Sequence, residues 1–353
     1  MVQGIRNKRE ESTAGAPVKG GIRDPEFIVE RLKDKDIAGF IERFFCARYE
    51  GLITPRTKEI IGFGSTREYV SALMGSLLND PGETRALFFS GREKGEVHST
   101  FRARNGSRKW LFEARAISPF LETLKPGSLI IDIGAGDNSF LLVLKGVLAN
   151  NELRFLGLDR AKSDDQAAGG VEFRQQPADY DTGLGGREAD AVILKAAAHH
   201  MEDMGKMMEE LKRVMTPGAL LILIEESSDH EPPVPEPRLA QMTDQDLNLA
   251  FYELPLKKRI EAMKFLDYYG VRVYRGWDDM PLPLNIHDIN GWRDMFERRD
   301  LKFTSKVNMG FARPQYVSCL QRCNLVMVFS NQLQEPGIPL NSSEAGTVGG
   351  LSI

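Results

Sequence analysis

The sequence predicts an α/β protein built around a mostly parallel sheet, and two observations carry this prediction. In residues 128–140 an apolar run meets the turn-forming segment Gly134-Ala135-Gly136-Asp137-Asn138, and a second apolar segment follows at once. That order is typical of a buried strand, a tight glycine turn and a helix. Further strand and helix patterns alternate after it along the chain. A parallel sheet requires such alternation, because each strand must be followed by a crossover.

Seven strands account for the apolar runs. They are predicted at residues 128–133, 153–158, 171–175, 189–194, 219–224, 301–308 and 324–330. The helix predicted at 201–215 carries its methionines and Leu211 on one face, which indicates core packing rather than a metal site. Asp288 is expected to cap the helix before the last two strands.

Helical patterns precede and interrupt the strands. One helix is expected near residues 66–78, whereas Asn105-Gly106 predicts a hairpin between short strands at 97–103 and 109–114. The chain is therefore expected to divide into a disordered tail (1–22), a mostly helical region (23–112), the core (113–226), a helical cap insertion (227–288), the last helix and strand pair of the core (289–331) and a second disordered tail (332–353).

Charge and composition narrow the classes of function. The 353 residues carry a net charge of −4, which argues against a protein dedicated to nucleic acid. Residues 85–115 nevertheless hold eight Lys and Arg against three Glu, among aromatic residues. This basic stretch predicts either a cationic surface over apolar anchors or a contact with an anionic ligand such as single-stranded nucleic acid. We favour the first interpretation.

The sequence offers no sign of a metal site, a membrane span or export. The three cysteines, Cys46, Cys319 and Cys323, have no metal-ligand spacing to nearby histidines, so no metal is expected. No apolar run reaches the roughly 18 residues of a membrane-spanning helix. The first residues lack the apolar segment of a signal peptide, and a cytoplasmic protein is expected.

The order of these parts resembles the class I, Rossmann-like S-adenosylmethionine (SAM)-dependent methyltransferases. The resemblance covers residues 113–226 and, more loosely, 289–330. The family's first signature, an acid followed by G-x-G-x-G, stands here as Asp132-Ile-Gly134-Ala135-Gly136-Asp-Asn138. Asparagine replaces the third glycine and tolerates positive φ, so we expect the turn to persist. The resemblance implies a seven-stranded sheet whose last strand is antiparallel, with SAM as the cofactor.

Further signatures extend the resemblance along the chain. Asp159 ends strand two and is implied to hold the ribose hydroxyls, since a carboxylate accepts both hydrogens. The acid implied to contact the adenine amine is Asp179, with Asp181 as the second choice. The run from Asp190 to Asp203 resembles the family's fourth strand and the loop under the sulfonium. The implied cofactor-binding residues are Asp132, Gly134, Ala135, Gly136, Asn138, Asp159, Arg160, Asp179 and Lys195.

Methyl transfer from a sulfonium requires mainly alignment and the exclusion of water. A base is needed only where the acceptor must lose a proton. His199 and His200 are candidate catalytic residues because they follow strand four, at the end of the sheet where ligands bind. Alternatively, the two histidines have only a structural role in the loop after strand four. His287, at the entry of a late helix, is a third catalytic candidate. Its alternative role is to pack at the start of that helix.

The resemblance implies an enzyme that transfers a methyl group to an O-, N- or C-nucleophile of a small molecule, because large insertions after strand five are frequent in such methyltransferases. The aromatic and acidic residues Tyr268, Tyr269, Trp277, Asp278 and Asp279 suit either an organic acceptor or a packed lid. The alternatives are a methyltransferase of RNA or protein, a catalytically silent partner subunit and, more distantly, an NAD-dependent oxidoreductase. A homodimer is a possible assembly.

Overall fold

The computed structural model describes residues 26–106, 110–150, 152–160, 169–278, 280–316 and 324–332. Both predicted tails, except for residue 332, lie outside these ranges, as do Asp279, Cys319 and Cys323. Seven strands form one sheet in the order β3-β2-β1-β4-β5-β7-β6. The strands are β1 Leu129–Ile133, β2 Arg154–Asp159, β3 Glu172–Gln175, β4 Ala189–Lys195, β5 Met215–Glu226, β6 Leu301–Gly310 and β7 Asn324–Asn331.

The sheet is parallel from β1 to β5, and β7 runs antiparallel to both β5 and β6. All five residues of β1 are buried, as expected for a strand covered on both faces. This confirms the predicted class, a mostly parallel seven-stranded Rossmann-like sheet with flanking helices. The main shift is in strand five, which begins at Met215 rather than at 219.

Helices cover both faces of the sheet. Four of them are α7 Leu111–Leu121, α8 Ser139–Val147, α9 Met204–Val214 and α13 Ile289–Glu297. Alternate residues of β1 show the division, since Ile130 joins the apolar cluster beneath α7 and α8 while Ile131 joins the cluster beneath α9 and α13. Asp288 caps α13 by accepting a hydrogen bond from the Gly291 amide, as predicted.

The remaining helices build a separate apolar cluster from two distant segments. Aromatic side chains of the two segments meet directly, with ring centroids 5.2 Å apart for Phe40 and Phe251. Ion pairs tie the same segments together, since Lys258 lies 2.8 Å from Asp34 and 2.6 Å from Asp36. We call this assembly the helical unit; it contains α1 Glu26–Lys33, α2 Lys35–Arg48, α3 Lys58–Ile61, α4 Thr66–Asn79, α5 Pro81–Phe89, α6 Arg92–Gly106, α11 Gln245–Tyr252 and α12 Leu256–Tyr268. The short α10 Pro237–Ala240 lies in the linker before α11.

The predicted hairpin around Asn105-Gly106 is wrong. Residues 92–106 form the helix α6, and α7 starts at Leu111, so neither predicted strand exists. The error has a physical cause, because side chains of α6 pack against distant parts of the chain. His98 and Phe101 are buried, and the His98 ring lies against Phe89 and Tyr274. Tertiary packing of these side chains overrides the local turn preference.

Asn138 occupies the third glycine position of the turn and has φ 59°, so its predicted tolerance of positive φ is confirmed. Its buried side chain lies over Gly157 of β2, where an added Cβ would fall 1.7 Å from Asn138 Oδ1. The side-chain amide donates to the Glu172 carbonyl of β3 at 3.3 Å. Asn138 therefore packs the start of α8 onto the sheet, and the missing side chain at Gly157 provides the space.

Gly157→Ala is therefore expected to destabilise the protein by about 1–3 kcal/mol, the usual cost of overpacking a core. Thermal unfolding should show the loss as a lower Tm. Adding Asn138→Gly should recover more than half of it, because glycine keeps the positive φ and removes the clashing amide. A single Gly157→Ala variant as stable as the wild type would contradict this packing.

Candidate functional site

A cavity of about 370 Å³ opens at the carboxyl ends of the parallel strands. We call it the carboxyl-end cavity. It lies where the strand order reverses between β1 and β4, the place where open α/β sheets bind ligands. Its size is in the range of sites for small organic ligands. Its walls include Gly134, Asp159, Arg160, Gln176, Asp179, Tyr180, Ala196, Ala197, His200, Met201, Met280 and Pro281.

The glycine turn forms one wall of the cavity. Gly134 and Gly136 have φ of 82° and 60°. The Gly134 amide donates to the Leu158 carbonyl at 2.8 Å, which ties the turn to the end of β2. A Cβ at Gly134 would lie 3.1 Å from the Cβ of Ala197 in the loop after β4. A side chain here would thus narrow the cavity, and glycine keeps it open.

Acidic and basic side chains stand along the rim. Asp159 accepts a hydrogen bond from the Gly136 amide at 2.8 Å through Oδ2, so its carboxylate is already held beside the turn. Arg160 and Asp179 form an exposed ion pair with Nε and Oδ1 2.8 Å apart. All three residues line the cavity, whereas Asp181, the second choice for an adenine contact, does not.

Five of the predicted cofactor-binding residues do not line the cavity directly: Asp132, Ala135, Gly136, Asn138 and Lys195. Asp132 is 2% exposed, and burial raises the pKa of its carboxyl to about 7 against the opposing effect of Lys195. The Lys195 ammonium lies 3.9 Å from a Glu113 carboxylate oxygen and 5.3 Å from the Phe140 ring centroid. Ala135 and Asn138 belong to the turn backbone and its support. Gly136 contributes through its amide, which donates to Asp159. These five residues support the cavity lining rather than form it.

His199 is fixed by a buried carboxylate. His199 belongs to a short 3₁₀ helix, Ala198–His200, just after β4, and its side chain is fully buried. Its Nδ1 lies 2.5 Å from Glu225 Oε2. The other oxygen, Glu225 Oε1, accepts from the Ala197 and Ala198 amides at 3.0 and 2.7 Å. Glu225, at the end of β5, therefore holds both the loop after β4 and the ring that the loop carries.

A second carboxylate faces His199 from the helical unit. Asp267 of α12 is fully buried, and its Oδ1 lies 3.8 Å from His199 Nε2. Burial alone would lower the pKa of His199, but the carboxylates of Glu225, Asp267 and Glu226 raise it to about 9. The His200 ring lies against that of His199, with centroids 4.0 Å apart and the ring planes tilted by 44°. We call His199, His200, Glu225 and Asp267 the His199 cluster.

His200 joins this cluster to the cavity. It lines the carboxyl-end cavity and its Nδ1 lies 3.2 Å from the Pro281 carbonyl. His287 lies elsewhere, at the entry of α13, with its ring edge-on to Trp292 at 4.9 Å. Burial lowers the pKa of His287, and the residue is not part of the cavity wall. The structure thus brings His199 and His200 together and leaves His287 in a packing position.

Sequence reasoning missed the two carboxylates of the cluster. Glu225 follows the apolar run 219–224 directly, and a carboxylate at the end of a buried strand is a usable signal for a site. Asp267 stands between apolar and aromatic residues of α12. No local pattern connects Asp267 to β4, because 67 residues separate it from His200 and only the packing of the insertion brings them together.

Comparison with known protein families gives a match in the core of the chain. Residues 131–223, from β1 to β5, match a family model described as a methyltransferase domain. No curated protein sequence matches the chain. Among the part of the chain that the structure describes, no helix has the length and apolar character needed to cross a bilayer.

Similar solved structures include two methyltransferases. A SAM-dependent methyltransferase from Aquifex aeolicus aligns with 15% identity and a TM-score of 0.40, over 66% of this chain and 97% of its own. A SAM-dependent methyltransferase from Thermotoga maritima, described as a possible histamine N-methyltransferase, aligns with 12% identity and a TM-score of 0.41 over 67% of this chain and 96% of its own.

Proposed function

We propose that this chain, whose residues 131–223 match a family of methyltransferase domains, is a class I SAM-dependent methyltransferase that transfers a methyl group from SAM to a small organic acceptor. One observation carries the choice of acceptor. The His199 cluster beside the cavity is covered by the helical unit, since Asp267 reaches it from α12 and Met280 and Pro281 of the insertion form part of the cavity wall. A covered reaction site favours a small molecule over RNA or a protein.

The residues of the cavity suit SAM. The open space at Gly134 admits a ligand close to the backbone, and Asp159 presents a carboxylate for the two ribose hydroxyls. Asp179 and Arg160 stand further along the same rim, on the side expected for the adenine. Bound SAM supplies an activated methyl on a sulfonium. The protein has to hold that methyl against the acceptor and keep water out.

The acceptor is placed at the end of the cavity that His200 lines, next to the loop 196–200. His199, oriented by Glu225, and His200 are the side chains that set the ionisation of an acceptor in this position. His287 is assigned a packing role at the start of α13.

Calorimetric titration with S-adenosylhomocysteine, with NADH as the control, tests the cofactor. We expect micromolar binding of S-adenosylhomocysteine alone, whereas binding of NADH alone would refute the proposal. Release of S-adenosylhomocysteine from SAM should then be screened with pools of small phenols, amines and enolisable carbonyl compounds, beside tRNA and peptide pools. Turnover with a macromolecular pool only would exclude the small-molecule acceptor.

A further inference from the structure

Three side chains of metal-ligating type converge beside the cavity. One potential ligand atom from each of His199, His200 and Asp267 lies within 4.8 Å of the other two. Ligands held about 2.1 Å from a zinc ion lie roughly 3–3.5 Å from each other. The separation of 3.8 Å between His199 Nε2 and Asp267 Oδ1 is already close to this. The two ligand atoms that lie farthest apart would have to approach each other by on the order of 1 Å for all three to bind one ion.

One nitrogen of each imidazole, Nδ1, lies against an oxygen, an arrangement found in metal sites. His199 Nδ1 lies against the Glu225 carboxylate, and His200 Nδ1 lies against the Pro281 carbonyl. A histidine that ligates a metal usually donates its other N–H to such a group, which fixes the ring and leaves the remaining nitrogen for the ion. Among the described residues, fully buried His199 Nε2 has no hydrogen-bond partner, and it faces Asp267.

The charges around the imidazoles also favour a cation. Glu225 and Asp267 are fully buried and Glu226 is 5% exposed. Glu225 and Asp267 lie on opposite sides of the His199 ring, 2.5 Å from Nδ1 and 3.8 Å from Nε2. Burying several carboxylates is costly unless positive charge compensates for them. A divalent ion between His199 and Asp267 would supply that charge.

We propose that His199, His200 and Asp267 bind a divalent first-row transition-metal ion at the acceptor end of the carboxyl-end cavity. Two imidazoles and one carboxylate are a ligand set used for Zn²⁺ and Fe²⁺, with open positions for substrate. His200 lines the cavity, so these positions face the acceptor. The ion would polarise an oxygen of the acceptor and lower the pKa of its proton. This part rests on the proposed function, and it specifies acceptors with a hydroxyl or enolisable carbonyl oxygen.

The test uses the full-length protein, stripped with a chelator and titrated with Zn²⁺ by calorimetry and with Co²⁺ by visible absorption. We expect one ion per chain. His200→Ala and Asp267→Asn should weaken binding at least 100-fold, since each removes a ligand. Glu225→Gln should weaken it about 10- to 100-fold through the orientation of His199. His230→Ala is the matched control, because this histidine contacts Asn290 outside the cluster, and it should bind as the wild type does.

Titration of each variant with S-adenosylhomocysteine separates the two proposals. Metal-free protein that binds S-adenosylhomocysteine but no ion would overturn the metal site and leave the methyltransferase proposal standing. Equal Zn²⁺ affinity in the wild type, His200→Ala and Asp267→Asn would also overturn it. Should buried Asp267→Asn fail to fold, His200→Ala decides, because His200 is only half-buried.

Discussion

Asp159→Ala is expected to weaken binding of S-adenosylhomocysteine at least 100-fold. The carboxylate is held beside the turn by the Gly136 amide, so it is ordered before the ligand arrives. A hydrogen bond to a charged group contributes about 1.5–3 kcal/mol, and two ribose hydroxyls can donate to Asp159. The binding free energy lost with both bonds is larger than the roughly 2.7 kcal/mol that corresponds to a 100-fold change in Kd. Calorimetric titration measures the change directly.

Asp181→Ala is the matched control for this prediction. Asp181 is an exposed acid in the loop that carries Asp179, and its Oδ1 accepts from the nearby Gly183 amide. It does not line the cavity, so its removal should leave Kd within about twofold of the wild type. Asp159→Asn should fall between the two, because the amide oxygen can still accept one bond. Equal Kd for Asp159→Ala and the wild type would exclude the ribose role.

Glu225→Ala is expected to destabilise the fold by several kcal/mol and to abolish methyl transfer. It removes the acceptor of two buried donors, the Ala198 amide and His199 Nδ1, and of the part-buried Ala197 amide. Each buried donor left without a partner costs about 1–3 kcal/mol. Since one kcal/mol lowers Tm by about 2–4 °C in a domain of 150–250 residues, thermal unfolding should shift by on the order of 10 °C.

Glu209→Ala controls for the loss of a carboxylate as such. Glu209 is exposed on α9, and its removal should change the free energy of unfolding by less than about 0.5 kcal/mol. Glu225→Gln keeps an acceptor for the two amides and should recover part of the stability. A Tm of Glu225→Ala within 2 °C of the wild type, by the scale used above, would show that Glu225 does not hold the loop.

Local sequence patterns were sufficient to predict the strands of the sheet. Buried parallel strands are continuous apolar runs, so β1, β2 and β4 were located to within one residue at each end. The positive φ of Asn138 and the cap at Asp288 were also predictable, because each follows from the chemistry of one side chain at one position. The helix α6 was not predictable, because the turn preference of Asn105-Gly106 competes with the packing of distant aromatic residues.

The candidate site was predictable only where it lies on a strand end. Asp159 and His200 follow strands directly, and both reach the cavity. Glu225 and Asp267 were missed because their importance depends on which groups surround them after folding. The sequence also predicted no metal ligands, since neighbouring histidines have a recognisable ligand spacing only when the third ligand is close in the chain. In the proposed site the third ligand, Asp267, lies in the insertion.

The helical unit limits the order in which parts of this chain can fold during synthesis. The apolar faces of α2 and α4 are complete early in synthesis, yet their partners in α11 and α12 come about 200 residues later. At 5–20 residues per second, the interval is about 10–40 s. During that time Phe40, Phe44 and Phe45 cannot reach the partners that bury them in the finished protein. The apolar faces of the nascent N-terminal helices therefore stay incompletely buried until the insertion has emerged.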